Sequence, residues 1–233
     1  MPLAHGEVHV CFYSLDVESA ELQRLEQLLS ADELARAKRT LNRTVRNRFI
    51  AGRGILRRIL ARYLEKEPES VVFAEGEQGK PYLADRAEHQ RLRFNLTHKH
   101  ERAALAVSGG SELGIDLEEL QETIPFCRMA ERFFLSKESE ELSSLPHEQQ
   151  LAAFYRCWTR KEAYLKGLGT GLTRPANSFG VSLLPGQPPI LDDLQYPELG
   201  RKWTLHDIGV PVGYCAALAM EGKPAALTCF PWT

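Results

Sequence analysis

Hydrophobic and β-branched residues cluster along VHVCFYSL at residues 8–15, which predicts a strand. From residue 18 to about 64 the apolar positions recur at helical spacing without a proline, which predicts two or more helices. Within that run Ser30 or Asp32 is placed to cap a helix whose apolar positions are Leu34, Leu41 and Val45. Residues 70–83, SVVFAEGEQGKPYL, read as a strand, a glycine-rich turn and a short strand. LRFNL at 92–96 and AALAVS at 103–108 then flank THKHER, a hairpin with a polar, cationic tip. The Gly109-Gly110-Ser111 break separates a unit of residues 1–110 from one of residues 111–233, and LGIDLEEL opens the second with a strand. Residues 126–166 predict two helical stretches parted near Pro146, and VSLL, WTLHDI and GYCAALAM predict short strands after them. Strands, helices and strands follow in the same order in each half. The chain is therefore expected to be α/β (α+β), with two similar subdomains, although no sequence repeat links them.

Composition narrows the class. A chain of 233 residues with 43% hydrophobic and 26% charged content has the makeup of a folded globular protein. The N-terminus lacks a basic flank followed by an apolar run, and no stretch nears the roughly 20 apolar residues of a membrane span, so a cytoplasmic protein without a membrane partner is expected. Five scattered cysteines with no C-x-x-C pair imply reduced thiols, not a disulfide framework or a zinc ribbon. A net charge of −2 excludes a protein that coats nucleic acid with its whole surface. The charge is uneven, however. Arg36, Arg39, Arg43 and Arg46 form a stripe, Arg53, Arg57 and Arg58 follow, and the only acids between residues 31 and 63 are Asp32 and Glu33. That face is either solvated surface or a phosphate- or nucleic-acid-binding patch.

Candidate chemistry centres on GIDLE at residues 114–118. In a strand Ile115 and Leu117 point to the core while Asp116 and Glu118 share the other face, their Cα atoms about 7 Å apart. Two carboxylates at that spacing can ligate one hard cation, magnesium in preference to zinc, or they can be the wet edge of an amphipathic strand. In WTRKEAYLKGLGTGL, residues 158–172, a helix places Trp158, Glu162 and Lys166 on one side with Lys161 adjacent. The plainer reading is an exposed Glu–Lys pair with Gly167 ending the helix. Phosphate-transfer chemistry needs a metal, cations and a base, and Asp116, Glu118, Glu162, Lys161, Lys166, His98 and the basic helices supply each class. Read alone, these residues also fit a magnesium-dependent nucleotidyl- or phosphotransferase, and the basic helices alone a non-catalytic nucleic-acid-binding module.

Five motifs in order, GKP at 79–81, FNLTH at 94–98, GIDLE at 114–118, RFFLSKE at 132–138 and WTRKEAYLKGLGTGL, resemble the Sfp-type 4′-phosphopantetheinyl transferases. The resemblance implies transfer of phosphopantetheine from coenzyme A to a serine of an apo acyl or peptidyl carrier protein, releasing 3′,5′-ADP. It implies a 4′-phosphopantetheinyl transferase fold of two subdomains in pseudo-twofold arrangement, a monomeric pseudo-dimer with coenzyme A between them and no nucleic-acid partner. By similarity Asp116, Glu118 and Glu162 surround magnesium, with manganese as an alternative, and Glu162 is also the candidate base. Lys161 and Lys166 hold the diphosphate, His98, Arg36 and Arg53 approach the 3′-phosphate, Thr97 a nearby phosphate, and Gly79, Lys80 and Pro81 the adenine edge. Glu138 matches an acidic position of the family. Thr97 stands where the family often has serine, and Glu33 where it often has lysine.

Overall fold

A computed structural model describes residues 3–231. In chain order the elements are β1 (Glu7–Ser14), α1 (Ser19–Gln27), α2 (Ala31–Arg39), α3 (Arg43–Leu64), β2 (Phe73–Glu75), β3 (Pro81–Leu83), α4 (Arg86–Arg91), β4 (Arg93–Lys99), β5 (Arg102–Ser108) and β6 (Leu113–Glu119). They continue with α5 (Phe126–Phe133), α6 (Ser136–Ser144), α7 (His147–Leu168), β7 (Gly180–Val181), β8 (Leu191–Asp192), α8 (Pro197–Gly200), β9 (Trp203–Asp207), β10 (Tyr214–Glu221) and β11 (Ala226–Pro231). None of the described helices is long and apolar enough to cross a membrane.

Two sheets carry the same topology. The first runs β11-β1-β5-β4 and the second β6-β10-β9, so in each an opening strand pairs with the second arm of an antiparallel hairpin. Four α-helices separate opening strand from hairpin in both halves, and the third of each, α3 or α7, is 22 residues long. This is the duplicated mixed α/β architecture expected from the order of elements. The final strand, β11, returns to pair in parallel with β1, so residues near the chain's end complete the first sheet. That strand has no clear alternation in TCFP and is legible only from its partner.

Local chemistry explains where helices start and stop. Ser30 caps α2 through a reciprocal box with Glu33, and the Asn42 side chain accepts from the Val45 amide to start α3. The apolar series expected to lie on one helix therefore crosses a break, and Leu41 is left 96% exposed in the link. The basic run is likewise not a bare cationic face: Arg48 pairs with Asp16, Arg57 with Glu33 and Arg58 with Glu21.

Core positions follow the pleat. Cys11, Tyr13 and Leu105 pack beneath α1 and α3, whereas Val8, Val10, Ala104 and Ala106 meet Ile115, Leu117 and Leu218 between the sheets. Behind the second sheet, Ala217, Ala219 and Trp203 pack against α7. The edge strands β4 and β6 meet where the halves join, and there Asn95 Oδ1 accepts from the Ile115 amide at 2.9 Å. Gly114 permits the close approach of α7, because a Cβ on it would overlap the Ala163 carbonyl and the Gly167 amide. Gly114→Ala is expected to destabilise the protein by about 3 kcal/mol, at the upper end of overpacking costs, as read by urea unfolding.

Candidate active site

The site forms where β4, β6 and α7 converge. Alternation along β6 turns Asp116 and Glu118 away from the core between the sheets, as the sequence pattern requires. Residues four apart on α7, Trp158, Glu162 and Lys166, line the same cavity of about 750 Å³, together with Thr97 and His98 from β4. Arg132, Phe133 and Arg174 complete its far wall. Asp116 is 3% exposed. Its Oδ1 accepts from Lys166 Nζ at 2.5 Å and from the Thr97 hydroxyl at 3.3 Å. Glu118 Oε2 is paired with Lys99 Nζ at 2.6 Å.

A smaller cavity of about 440 Å³ adjoins the first and shares His98. Its lining includes Tyr13, Arg36, Arg48, Phe49 and Arg53. The Arg36 and Arg53 guanidinium groups lie 5.1 and 6.0 Å from the centre of the Phe49 ring. Crowding of protein atoms lowers the His98 pKa, and the positive charges of Lys166 and Arg48 lower it further. Neutral at physiological pH, the ring meets an anion as a hydrogen-bond donor, and a bound phosphate would pull its pKa back up.

Among the described residues, no three His, Cys, Asp or Glu side chains are gathered into a ready cation cage. The carboxylates share a cavity, but lysines neutralise two of them. The donor set nevertheless fits a hard cation. Asp116 Oδ2 is buried with no hydrogen-bond partner, a costly state that an ion would relieve. Glu162 has its pKa raised by burial first and by the Asp116 and Glu118 charges, with Lys166 opposing them.

This geometry sits within a matched sequence. Residues 16–109 match the family model described as 4′-phosphopantetheinyl transferase, N-terminal, and residues 112–219 the 4′-phosphopantetheinyl transferase superfamily. The chain is 43% identical over 223 residues to the 4′-phosphopantetheinyl transferase HetI of a Nostoc species, covering 95% of this chain and 91% of that protein. It belongs to the 4′-phosphopantetheinyl transferase superfamily. Further relatives include the transferase Sfp of Bacillus subtilis, 26% identical over 91% of this chain and 92% of that one, and psf-1 of Bacillus pumilus, 29% identical over 90% and 88%.

Two lysines of this transferase lie elsewhere than the sequence motifs suggest. Lys161 is 1% exposed, outside both cavities. Its ammonium is paired with Glu138 at 2.9 Å and donates to the Ala176 and Phe179 carbonyls at 2.9 and 2.6 Å. With its charge met by Glu138 and two carbonyls accepting from it, Lys161 stands away from the cavities, in contrast to the expectation that it holds a diphosphate: one residue along a helix is about 100° of rotation, which turns Lys161 inward when Glu162 faces the cavity. Glu138, in turn, accepts from the Leu135 and Val181 amides and so locks α6 to β7. Lys80 donates to Glu112, Leu113 O and Gly167 O, at 3.3, 3.2 and 3.0 Å. It ties the β2–β3 hairpin to the second half, and Gly79, Lys80 and Pro81 line neither of the two cavities; the hairpin packs beside Gly171 at the rim of the larger one. Gly167 does not end its helix. It packs against Trp203 inside α7, while Gly169, at φ 69°, forms the left-handed cap.

Sequence reasoning missed Lys99, Arg48, Arg132 and Arg174 as residues of the site or its walls. The cationic tip of THKHER was the available signal for Lys99; Arg48 lies off the arginine stripe, and the other two belong to loop or helix ends without periodicity.

The Glu162 environment gives a prediction about stability. Its folded pKa lies above the unfolded value, so burial favours the protonated form, and that contribution is lost as pH rises through the folded pKa. Glu162→Gln without divalent metal is therefore expected to raise the melting temperature at about pH 8 and leave it unchanged at about pH 3, below the ordinary glutamate range. Thermal melts of both proteins at the two pH values check this.

Proposed function

We propose that this transferase moves the 4′-phosphopantetheine of coenzyme A to a serine hydroxyl of an apo acyl or peptidyl carrier protein with a divalent cation, magnesium or manganese, acting as a cytoplasmic monomer. The observation that carries the site assignment is the orphaned Asp116 Oδ2 in a cavity shared with Glu118, Glu162 and Lys166. Asp116, Glu118 and Glu162 would hold the cation. When bound, it supplies neutralisation of the diphosphate oxygens.

The chain's own groups do the rest. Two cavities joined at His98 suit a long ligand, with diphosphate and pantetheine arm in the larger and the 3′-phosphonucleoside in the smaller. Arg36, Arg53 and His98 face the 3′-phosphate, while Thr97 and Lys166 face the diphosphate. The Gly79–Pro81 turn lies beside the rim of the larger cavity, so the contact it offers the ligand falls to its main chain, because Lys80 is already tied down. Glu162, with its raised pKa, accepts the proton of the serine hydroxyl. The serine oxygen bonds to the phosphorus bearing pantetheine as the bond from that phosphorus to the bridging oxygen breaks. The bridging oxygen leaves on 3′,5′-ADP.

Incubation with coenzyme A, magnesium and a panel of apo carriers is expected to add one phosphopantetheine mass to a carrier and release 3′,5′-ADP. No adduct on any carrier, or release of pyrophosphate instead, overturns the reading.

A further inference from the structure

The sequence motifs called for two ammonium groups beside the carboxylates, and the structure removes one of them, Lys161. A different lysine, Lys99, lines neither cavity but pairs with Glu118, which does line the larger one. Thr97 and Lys99, two apart on β4, share the strand face that meets Asp116 and Glu118, two apart on β6. The result is a short ladder: Thr97 donates to Asp116, and Lys99 pairs with Glu118 at 2.6 Å. The Lys99 and Glu118 side chains are 31% and 20% exposed, in contrast to the 1% of Lys161. An ammonium at the surface, with one carboxylate partner and a flexible four-carbon stem, exchanges between acceptors at little cost.

We propose that Lys99 is an exchangeable counter-cation: it neutralises Glu118 in the ligand-free protein and passes to the phosphate oxygens when a divalent ion takes that carboxylate. This rests on the reading of Asp116, Glu118 and Glu162 as the cation site. The charge argument is direct. Glu118 cannot serve a lysine and a divalent ion with equal strength, and the ammonium so released, held at the cavity's edge through Glu118 on a flexible stem, would find the diphosphate as the new anion there. Lys99 thus opposes metal binding to the free protein and assists coenzyme A binding to the metal-loaded protein.

Opposite signs make the test decisive. Lys99→Met is expected to tighten Mn2+ alone, followed by electron paramagnetic resonance of the unbound ion, by about three- to tenfold, the worth of an exposed to half-buried ion pair. The same variant is expected to weaken coenzyme A, titrated calorimetrically at saturating magnesium, by a similar factor of about three to ten. Lys99→Arg, which keeps the charge, should retain coenzyme A affinity. A lysine that merely holds the fold would weaken both ligands, and that result overturns the proposal. So does unchanged Mn2+ affinity or unchanged coenzyme A affinity in the methionine variant. If the unaltered protein binds no Mn2+, the cation-site reading falls and this inference falls with it; if it binds and the variant does not differ, only the inference falls.

Discussion

Asp116→Asn is expected to lower kcat/KM for carrier modification by about 10³-fold or more, the scale of losing a main electrostatic stabiliser of a transferring phosphoryl group. Asparagine keeps the shape of a side chain that is 3% exposed, so the fold should survive. What it removes is charge: Oδ1 no longer pairs with Lys166, and Oδ2, unpartnered in the protein, ceases to be an anionic ligand. Coenzyme A binding without metal should weaken much less than turnover, because the carboxylate acts through the cation. Rates from carrier mass shifts, set beside calorimetric titrations with and without magnesium, separate the two effects. Equal losses in both would mean that Asp116 supports the pocket and nothing more.

Lys161→Met is expected to cost about 3–5 kcal/mol of stability, the range for breaking a buried ion pair by removing one partner. The substitution strands the Glu138 carboxylate at 3% exposure and leaves the Ala176 and Phe179 carbonyls without their donor. Urea unfolding measures the loss, and a Lys161→Met, Glu138→Gln double variant should recover part of it, since the uncompensated charge is gone. Lys166→Met provides the contrast. That lysine is 31% exposed and faces the cavity, so its loss should weaken coenzyme A affinity and cost less stability than Lys161→Met, although the Asp116 carboxylate it leaves behind is buried and keeps only the Thr97 hydroxyl as a donor. A stable Lys161→Met protein with weakened coenzyme A binding would restore the role that the motif alone suggests.

These two lysines show how far periodicity carries. Trp158, Glu162 and Lys166 were legible as one helix side because i and i+4 spacing is a property of the chain, and they line one cavity. Lys161 belongs to the same short motif and points inward, which spacing alone leaves open when both helix faces bear charge. On β6 the alternation of Ile115 and Leu117 with Asp116 and Glu118 was read in full, because a strand has only two faces. Leu41 misled for the opposite reason: its period continues through Thr40–Asn42, where one helix closes at Thr40 and the Asn42 cap begins another.

The amino-acid sequence by itself determined the family, the β6 carboxylate pair, the polar side of α7 and most of the element order, since each is local or is carried by motifs; it left α4 and β11 unread and took α5 and α6 as one helical stretch. Tertiary structure decided the rest. It placed β11 beside β1, brought Thr97 and Lys99 of β4 against Asp116 and Glu118 of β6, and buried Lys161 on Glu138. Ion pairs form between whichever charges packing brings together, and the backbone close approach at Gly114 that seats α7 on β6 sets those neighbours, across a separation of about fifty residues for Asp116 and Lys166.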